Sequence, residues 1–220
     1  MSSTLSARTG TPTTLRALRF TWIRLQSRAD TASLAAPLEA ARQRLRAAVD
    51  AEAELEEQSA ALTAEITYLD SVEDDEVSAL AREVRVLVGG NLKDPRWGKL
   101  FTQTPTEITR PVGGPVQSRH VHHILRTLAV DSDYSSLSTR RDALDAAREA
   151  VEVVEAARDA LAGPLMAAQQ ERRQANDVAH RAYNRIKPQL QLLFDSPAFV
   201  RSFFPAAAPS APAEAEEPKA

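Results

Sequence analysis

Apolar residues recur along residues 34–69 at alternating spacings of three and four positions. They are Leu34, Leu38, Ala41, Leu45, Ala48, Leu55, Leu62, Ile66 and Leu69. This 3.5-residue repeat is typical of a helix packed along a partner helix in coiled-coil fashion. Only Glu52 and Ser59 are polar on that seam. The pattern predicts a long helix from about 32 to 88, closed by a Gly-Gly pair and either kinked or turned at the acidic cluster 70–76.

A second seam of the same kind follows in the other half of the chain. It consists of Leu144, Ala147, Val151, Val154, Leu161, Leu165, Ala168, Ala175, Ala179, Ala182 and Ile186. It predicts a second long helix that is kinked at Gly163-Pro164 and ends near Pro188. Short amphipathic helices are expected at about 13–28 and 117–130. Residues 102–116 are rich in Pro and Gly, so they are expected to be extended.

Short phrases recur in the same order in both halves. "LRALRF" and "LRTLAV" lie in the short helices, "LEAAR" and "LDAAR" begin the long ones, and "DPRWGKLF" and "SPAFVRSFF" follow them. The order predicts a tandem duplication of a unit of about 105 residues. The last pair places two aromatics four positions apart on one helical turn, which suits a clasp over the end of a long helix. A peptide-binding or ligand-binding lid is the alternative. The clasp residues are Pro95, Trp97, Phe101, Pro197, Phe199 and Phe203.

Composition supports an all-α fold, because the chain of 220 residues has 39 Ala, only 7 Gly and 5% aromatic residues. The predicted architecture is an elongated four-helix bundle, coiled-coil-like, made by duplication of a short-helix plus long-helix unit. The predicted segments are a flexible N-terminus (1–12), helical repeat 1 (13–105), a Pro/Gly linker (106–116), helical repeat 2 (117–204) and a disordered Ala/Pro/Glu tail (205–220).

Acidic and basic residues are segregated along the chain. Eleven carboxylates and no Lys or Arg lie between Asp50 and Glu76, whereas residues 1–29 contain five Arg and no acid. The stretch 171–187 is also mostly basic. Because so many like charges repel one another, we expect the acidic stretch to pair internally with the N-terminal helix or with 171–187. An external basic partner is the alternative.

Candidate chemistry is sparse. The chain has no Cys, so disulfides and thiolate metal sites are excluded, and it has no Gly-rich phosphate loop or nucleophile with an evident base. The weak metal candidates are His120, His123, Asp177 and His180. No cofactor is expected. A net charge of −3 without a basic patch of stacking aromatics argues against nucleic-acid binding.

These features favour a non-enzymatic structural or protein–protein interaction module that binds a protein partner or associates with itself, for example as a homodimer. One alternative is a metal-binding bundle that uses the His cluster. Another is a peripheral membrane or organelle assembly subunit with a basic N-terminal helix. A membrane association is not expected, because no apolar run approaches the roughly 20 residues of a transmembrane helix. A cytoplasmic location is expected, and organelle targeting through residues 1–29 is the alternative.

Overall fold

The computed structural model describes residues 4–6, 9–110 and 115–205, and within these ranges the chain is helical and contains no strand. Parts of the predicted flexible N-terminus and of the predicted linker, and the predicted tail beyond residue 205, lie outside the described residues. The helices are α1 (Thr11–Gln26), α2 (Ala32–Leu87), α3 (Pro95–Leu100), α4 (Pro105–Ile108), α5 (Pro115–Val130), a 3-10 helix (Ser132–Leu137), α6 (Ser138–Leu193) and α7 (Pro197–Arg201).

Helix α2 runs without a break for 56 residues, through the acidic cluster at 70–76. Of the two alternatives for this cluster, the single long helix is therefore confirmed and the turn is excluded. Acidic residues lower helix propensity only slightly, and Asp70 and Glu73 of this cluster face the interior of the protein. The predicted stop is confirmed, because Gly89 and Gly90 follow the helix with φ of 59° and 78°, a conformation that costs Gly little.

Helix α6 also spans 56 residues and includes both Gly163-Pro164 and Pro188. The predicted end near Pro188 is wrong, since the helix continues to Leu193. Each Pro removes one backbone hydrogen bond, but tertiary packing compensates when neighbouring residues are buried. Ile186 and Leu190, on either side of Pro188, are both buried in the core.

The helices pack into two compact units. Unit 1 consists of Met1–Glu54 and Leu165–Ala220, and unit 2 consists of Leu55–Pro164. Both long helices contribute one part to each unit, so the units differ from the two successive halves that the repeat pattern suggested. The core of unit 1 includes Leu18, Leu38, Leu45, Tyr183, Leu190 and Phe203. The core of unit 2 includes Leu80, Val84, Leu100, Ile124, Tyr134 and Leu144.

Both copies of the Pro-aromatic motif form a short helix, α3 in unit 2 and α7 in unit 1. In each copy a polar side chain caps the N-terminus and Pro begins the helix, which suits its fixed φ. The ring centroids of Trp97 and Phe101 are 4.8 Å apart, and those of Phe199 and Phe203 are 5.4 Å apart. Phe194, directly after α6, contacts Phe199 at 4.9 Å. The aromatic pair of α7 thus packs at the end of a long helix.

The loop between α3 and α5 contains one more helical turn than the sequence predicted. Thr104 is the N-cap of α4. Its side chain accepts a hydrogen bond from the Glu107 backbone N–H, while the Glu107 carboxylate accepts one from the Thr104 backbone N–H. This capping box satisfies two donors that the first turn leaves free. The expectation of extended backbone over 102–116 is wrong for Pro105–Ile108, because a Thr-Pro-Thr-Glu sequence favours a helix start, and residues 111–114 lie outside the described residues.

None of the described helices is both long enough and apolar enough to cross a membrane.

Candidate functional sites

A buried ionic cluster lies in unit 2, where α2, α5 and α6 supply its residues. The Arg148 side chain donates to three carboxylates: Nη1 to Glu73 Oε2 at 3.4 Å, Nε to Glu152 Oε1 at 2.9 Å and Nη2 to Glu155 Oε2 at 3.2 Å. Arg148 is 5% exposed and Glu73 is fully buried. A buried guanidinium is stable only when carboxylates satisfy its donors, so these contacts fix how α2 and α6 meet in this unit.

Gln117 of α5 completes the cluster. Its Nε2 donates to Asp74 Oδ1 at 3.0 Å and to Glu73 Oε1 at 3.4 Å, and its side chain is 1% exposed. Burial, together with the negative charges of Asp70, Glu73 and Asp75, raises the pKa of Asp74 to about 7. Burial also raises the pKa of Glu73, although Arg148 opposes this shift. The hydrogen bonds of the cluster join α2, α5 and α6 within unit 2.

Because the pKa of Asp74 in the folded protein lies above the ordinary value of 3.8, the folded state retains this proton to higher pH than the unfolded state. The contribution of Asp74 to the free energy of unfolding therefore falls as the pH rises from about 4 to about 7. We expect Asp74→Asn to flatten this dependence and to be more stable than wild type at pH 8. Urea unfolding between pH 4.5 and 8.5 measures it, with Asp145→Asn, an exposed carboxylate of α6, as the control. Equal slopes for wild type and Asp74→Asn would contradict the expectation.

The predicted metal candidates are divided between the two units, His120 and His123 in unit 2 and Asp177 and His180 in unit 1, and two of the His side chains have other hydrogen-bond partners. His123 Nε2 lies 3.0 Å from the Lys99 carbonyl oxygen in unit 2, and His120 belongs to the same helix. His180 Nε2 lies 2.9 Å from Thr14 Oγ1 in unit 1, where burial lowers its pKa. Among the residues that the structure describes, no group of three or more His, Asp or Glu side chains is arranged to hold a metal ion.

The pairing predicted for the acidic stretch is confirmed for Glu52, which was polar on an otherwise apolar seam. Its carboxylate binds Arg172, a residue of the basic stretch 171–187, within unit 1. Farther along the stretch, Glu76 pairs with Arg140 at 3.4 Å in unit 2. These basic partners, like Arg148, come from α6. Side-chain pairing between the long helices thus explains part of the charge segregation.

Charge also differs between the two units. Unit 1 has fifteen Lys and Arg and eleven Asp and Glu, a formal charge of +4, whereas unit 2 has twelve and nineteen, a charge of −7. Together they give the net charge of −3 for the chain. The two compact units therefore carry formal charges of opposite sign.

Two grooves on unit 1 are lined by Arg side chains around an apolar floor. The α2–α6 groove has a volume of about 370 Å³ and is lined by Pro37, Ala40, Ala41, Arg44, Val178, Arg181, Ala182 and Arg185. The α1–α2 groove has a volume of about 320 Å³ and is lined by Leu15, Arg16, Arg19, Arg42, Arg46, Val49 and Asp50. Each combines an apolar surface with several cationic side chains, a combination suited to a partner that is both apolar and acidic.

Some Arg side chains of these grooves already form ion pairs with carboxylates of the same chain, and others do not. Arg42 pairs with Glu39 at 2.6 Å and lies over the Trp22 ring at 5.7 Å, and Arg46 is 3.8 Å from Asp50. In the α2–α6 groove, Arg44 pairs with Glu171 at 2.9 Å. Neither Arg181 nor Arg185 forms an ion pair with any residue in the described part of the chain. Arg16 and Arg19 of the α1–α2 groove likewise have no ion-pair partner among the residues described, so each groove contains two unpaired Arg side chains.

The basic stretches 1–29 and 171–187, identified from the sequence, carry Arg16, Arg19, Arg181 and Arg185. The sequence analysis singled out neither the Arg side chains of α2 nor the grooves themselves. Arg44 and Arg181 are far apart in the chain, and only the pairing of the first part of α2 with the last part of α6 brings them to one groove. The four-residue spacing of Arg181 and Arg185, with Ala182 and Val178 beside them, was the one available signal.

No family model, no curated protein and no solved structure matches this chain. Inference about its function therefore starts from the two grooves, the ionic cluster and the charges of the two units.

Proposed function

We propose that the protein is a non-enzymatic protein–protein interaction module whose basic unit 1 binds an acidic partner protein. One observation supports the proposal above all. Unit 1 has a formal charge of +4, and two grooves on it combine an apolar floor with Arg side chains at the rim. Complementary charge accelerates association and selects the partner, while the apolar floor supplies the area from which binding energy comes.

Unpaired Arg side chains at helical spacing support the proposal. Arg16 and Arg19 lie three positions apart on α1, and Arg181 and Arg185 lie four apart on α6. None of the four has an ion-pair partner among the residues described. Like charges at these spacings destabilise a helix by a few tenths of a kcal/mol, roughly 0.2–0.5 per pair. Carboxylates of an acidic partner would offset this repulsion, so these Arg side chains are more favourably paired in the complex than in the free protein.

The chemistry of the grooves favours a protein over nucleic acid or a membrane. Phosphate binding requires cations but gains nothing from Ala, Val and Pro beneath them, and stacking aromatics do not line either groove. Helix α1 is basic, but Leu18 and Leu25 of its apolar stripe are buried in the core of unit 1. Burial of that stripe supports a structural role for α1 rather than insertion into a lipid surface.

We further infer that the chain is a tandem duplication and that each unit is a four-helix arrangement. Each unit contains a short helix, a part of α2, a part of α6 and a Pro-aromatic helix: α1 and α7 in unit 1, α5 and α3 in unit 2. The recurring sequence phrases in corresponding positions support this view. If the two units descend from one ancestor, their opposite charges indicate that they have since acquired different partners.

Affinity capture from the native source, with the full chain as bait, tests the proposed function. We expect at least one acidic protein to be retained by wild type and lost at raised salt. A variant with Arg16, Arg19, Arg181 and Arg185 changed to Glu should lose it, because the cationic rims become anionic. Mass spectrometry identifies the retained proteins, and light scattering with size exclusion reveals whether the partner is a second copy.

The control variant is Arg82→Glu with Arg85→Glu. It reverses an exposed pair on α2 in unit 2 whose members lie three positions apart, as Arg16 and Arg19 do. It should retain the partner as wild type does. Equal loss in this control, or capture that is insensitive to the reversal in unit 1, would show that unit 1 is not the binding unit.

A further inference from the structure

We propose that the α2–α6 groove of unit 1 receives an amphipathic α-helix of the partner, with the apolar face of that helix on the groove floor and acidic side chains beside Arg181 and Arg185. This inference rests on the proposed function and goes beyond it, since it names one groove and the form of the bound segment. In this proposal, most of the binding energy comes from the surface between α2 and α6.

The floor of the groove is apolar and built from small side chains. Pro37, Ala40 and Ala41 come from α2, and Val178 and Ala182 come from α6. Small residues on two neighbouring helices leave a shallow depression into which a third helix can pack at close range. Helix-in-groove binding uses such a depression, with the incoming helix anchored by apolar residues at positions i, i+3, i+4 and i+7.

The cations at the rim define the chemistry of the flanks of the incoming helix. Arg181 and Arg185 are four residues apart on α6, so their side chains leave the helix about 6 Å apart along its axis. Asp or Glu residues at i and i+4 of the partner helix have the same separation. Both Arg side chains are exposed and free to turn toward a carboxylate, which forms strong charge-assisted hydrogen bonds with a guanidinium. Across the groove, Arg44 is already paired with Glu171 and so adds a weaker attraction.

The other groove of unit 1 also contains two unpaired Arg, Arg16 and Arg19, but its remaining charged side chains differ, and it serves as an internal control. Asp50 lines it and repels an acidic helix, and its Arg42 is held by Glu39 through two hydrogen bonds of 2.7 Å and 2.6 Å. Reversal of Arg16 and Arg19 changes the charge of unit 1 by the same amount as reversal of Arg181 and Arg185. It leaves the α2–α6 groove intact. The two double variants therefore separate a groove-specific contact from a general effect of charge.

The test uses a fluorescently labelled synthetic helical peptide of about 18 residues, or about five helical turns. The peptide has Leu and Ala along one face and Glu at i and i+4 on the flanks. Fluorescence anisotropy, with the full chain as titrant, measures its affinity. We expect saturable binding to one site, and a loss of affinity of about tenfold or more on Arg181→Glu with Arg185→Glu, as for close charge pairs at interfaces.

A neutral variant tests the floor without changing charge. Ala40 is exposed, so Ala40→Trp fills the groove without disturbing the core, and we expect it to weaken binding by about tenfold or more. Ala53→Trp, at an exposed Ala of α2 outside both grooves, should bind the peptide as wild type does. The Arg16→Glu, Arg19→Glu variant should stay within about twofold of wild type, because distant exposed charges are screened by salt. Circular dichroism verifies that every variant is folded.

Several outcomes would overturn the inference. They are the absence of saturable peptide binding, equal loss in the two Arg double variants, an unchanged affinity in Ala40→Trp, and equal binding of a scrambled peptide of the same composition. Binding to vesicles that contain anionic lipid, without peptide binding, would indicate a lipid surface instead. If one of these results is found while partner capture still depends on the Arg side chains of unit 1, this groove is rejected as the binding site but the proposed function stands. If partner capture also proves independent of those Arg side chains, both the groove and the proposed function are rejected.

Discussion

Replacing Arg148 with Met lowers the free energy of unfolding by about 3–5 kcal/mol at pH 7, the cost of breaking a buried ion pair by removing one partner. Glu73 is fully buried and would lose its only cation among the contacts described, keeping the hydrogen bond from Gln117. Urea unfolding measures the loss. Arg158→Met is the matched control in the same helix, because the Arg158 side chain is 39% exposed, against 6% for Arg148, and its pair with Asp159 is long, at 3.5 Å. We expect that control to cost less than about 1 kcal/mol.

The same variant should show a characteristic pH dependence. Burial already raises the pKa of Glu73, and removal of Arg148 raises this pKa further, because the opposing charge is gone. A carboxyl group whose folded pKa is raised contributes stability that is lost as the pH increases, so the loss in Arg148→Met should be larger at pH 8 than at pH 5. Combining Arg148→Met with Glu73→Gln should recover much of the stability, because no buried charge is left unpaired. A loss as small as that of Arg158→Met would show that the cluster does not stabilise unit 2.

Replacing Phe203 with Ala should cost about 3–5 kcal/mol, the usual range when a buried Phe is truncated. Phe203 is 3% exposed and contacts Phe199 and, with ring centroids 6.0 Å apart, Phe194. The cavity would open where α7 packs at the end of α6. Urea and thermal unfolding measure the loss, and Phe20→Ala is the control, since Phe20 is 36% exposed and contacts only Arg24 among the aromatic and cation–π pairs described.

The two Phe variants also test what the Pro-aromatic motif is for. A structural clasp predicts a large loss of stability in Phe203→Ala and unchanged peptide binding after correction for unfolded protein. A binding lid predicts the reverse: stability close to that of Phe20→Ala, and weaker binding. The corresponding residue of the first copy, Phe101, is 5% exposed in the core of unit 2, so Phe101→Ala should behave as Phe203→Ala does.

The helices were predictable because their signal is local. The 3.5-residue seams predicted both long helices, and the Gly pair after Leu87 predicted where α2 ends. The helices continue through 70–76 and past Pro188 for the same reason. Acidic residues and Pro weaken a helix locally, but burial of neighbouring apolar residues such as Val77 and Leu190 outweighs that local cost. The local sequence shows which residues weaken the helix, but it does not show which residues will be buried in the folded protein.

The partners of each helix, and with them the candidate sites, were not predictable. An apolar seam shows that a helix packs along another but does not say which segment lies opposite. The α2–α6 groove exists because residues near 40 lie beside residues near 180, a pairing that no local pattern specifies. Glu52 is instructive in this respect: its polarity on the seam was visible, but its reason, the contact with Arg172, depends on the fold.

The composition of unit 1 has a consequence for biosynthesis. Unit 2 is one continuous stretch, Leu55–Pro164, so a ribosome has made all of it while the second segment of unit 1 is still missing. Unit 1, in contrast, requires contacts such as that of Thr14 with His180, across 166 positions, and that of Leu5 with Asn184, across 179. The basic, groove-forming unit is therefore assembled last, after most of the chain has been synthesised, and its binding surface does not exist on the nascent protein until α6 has emerged.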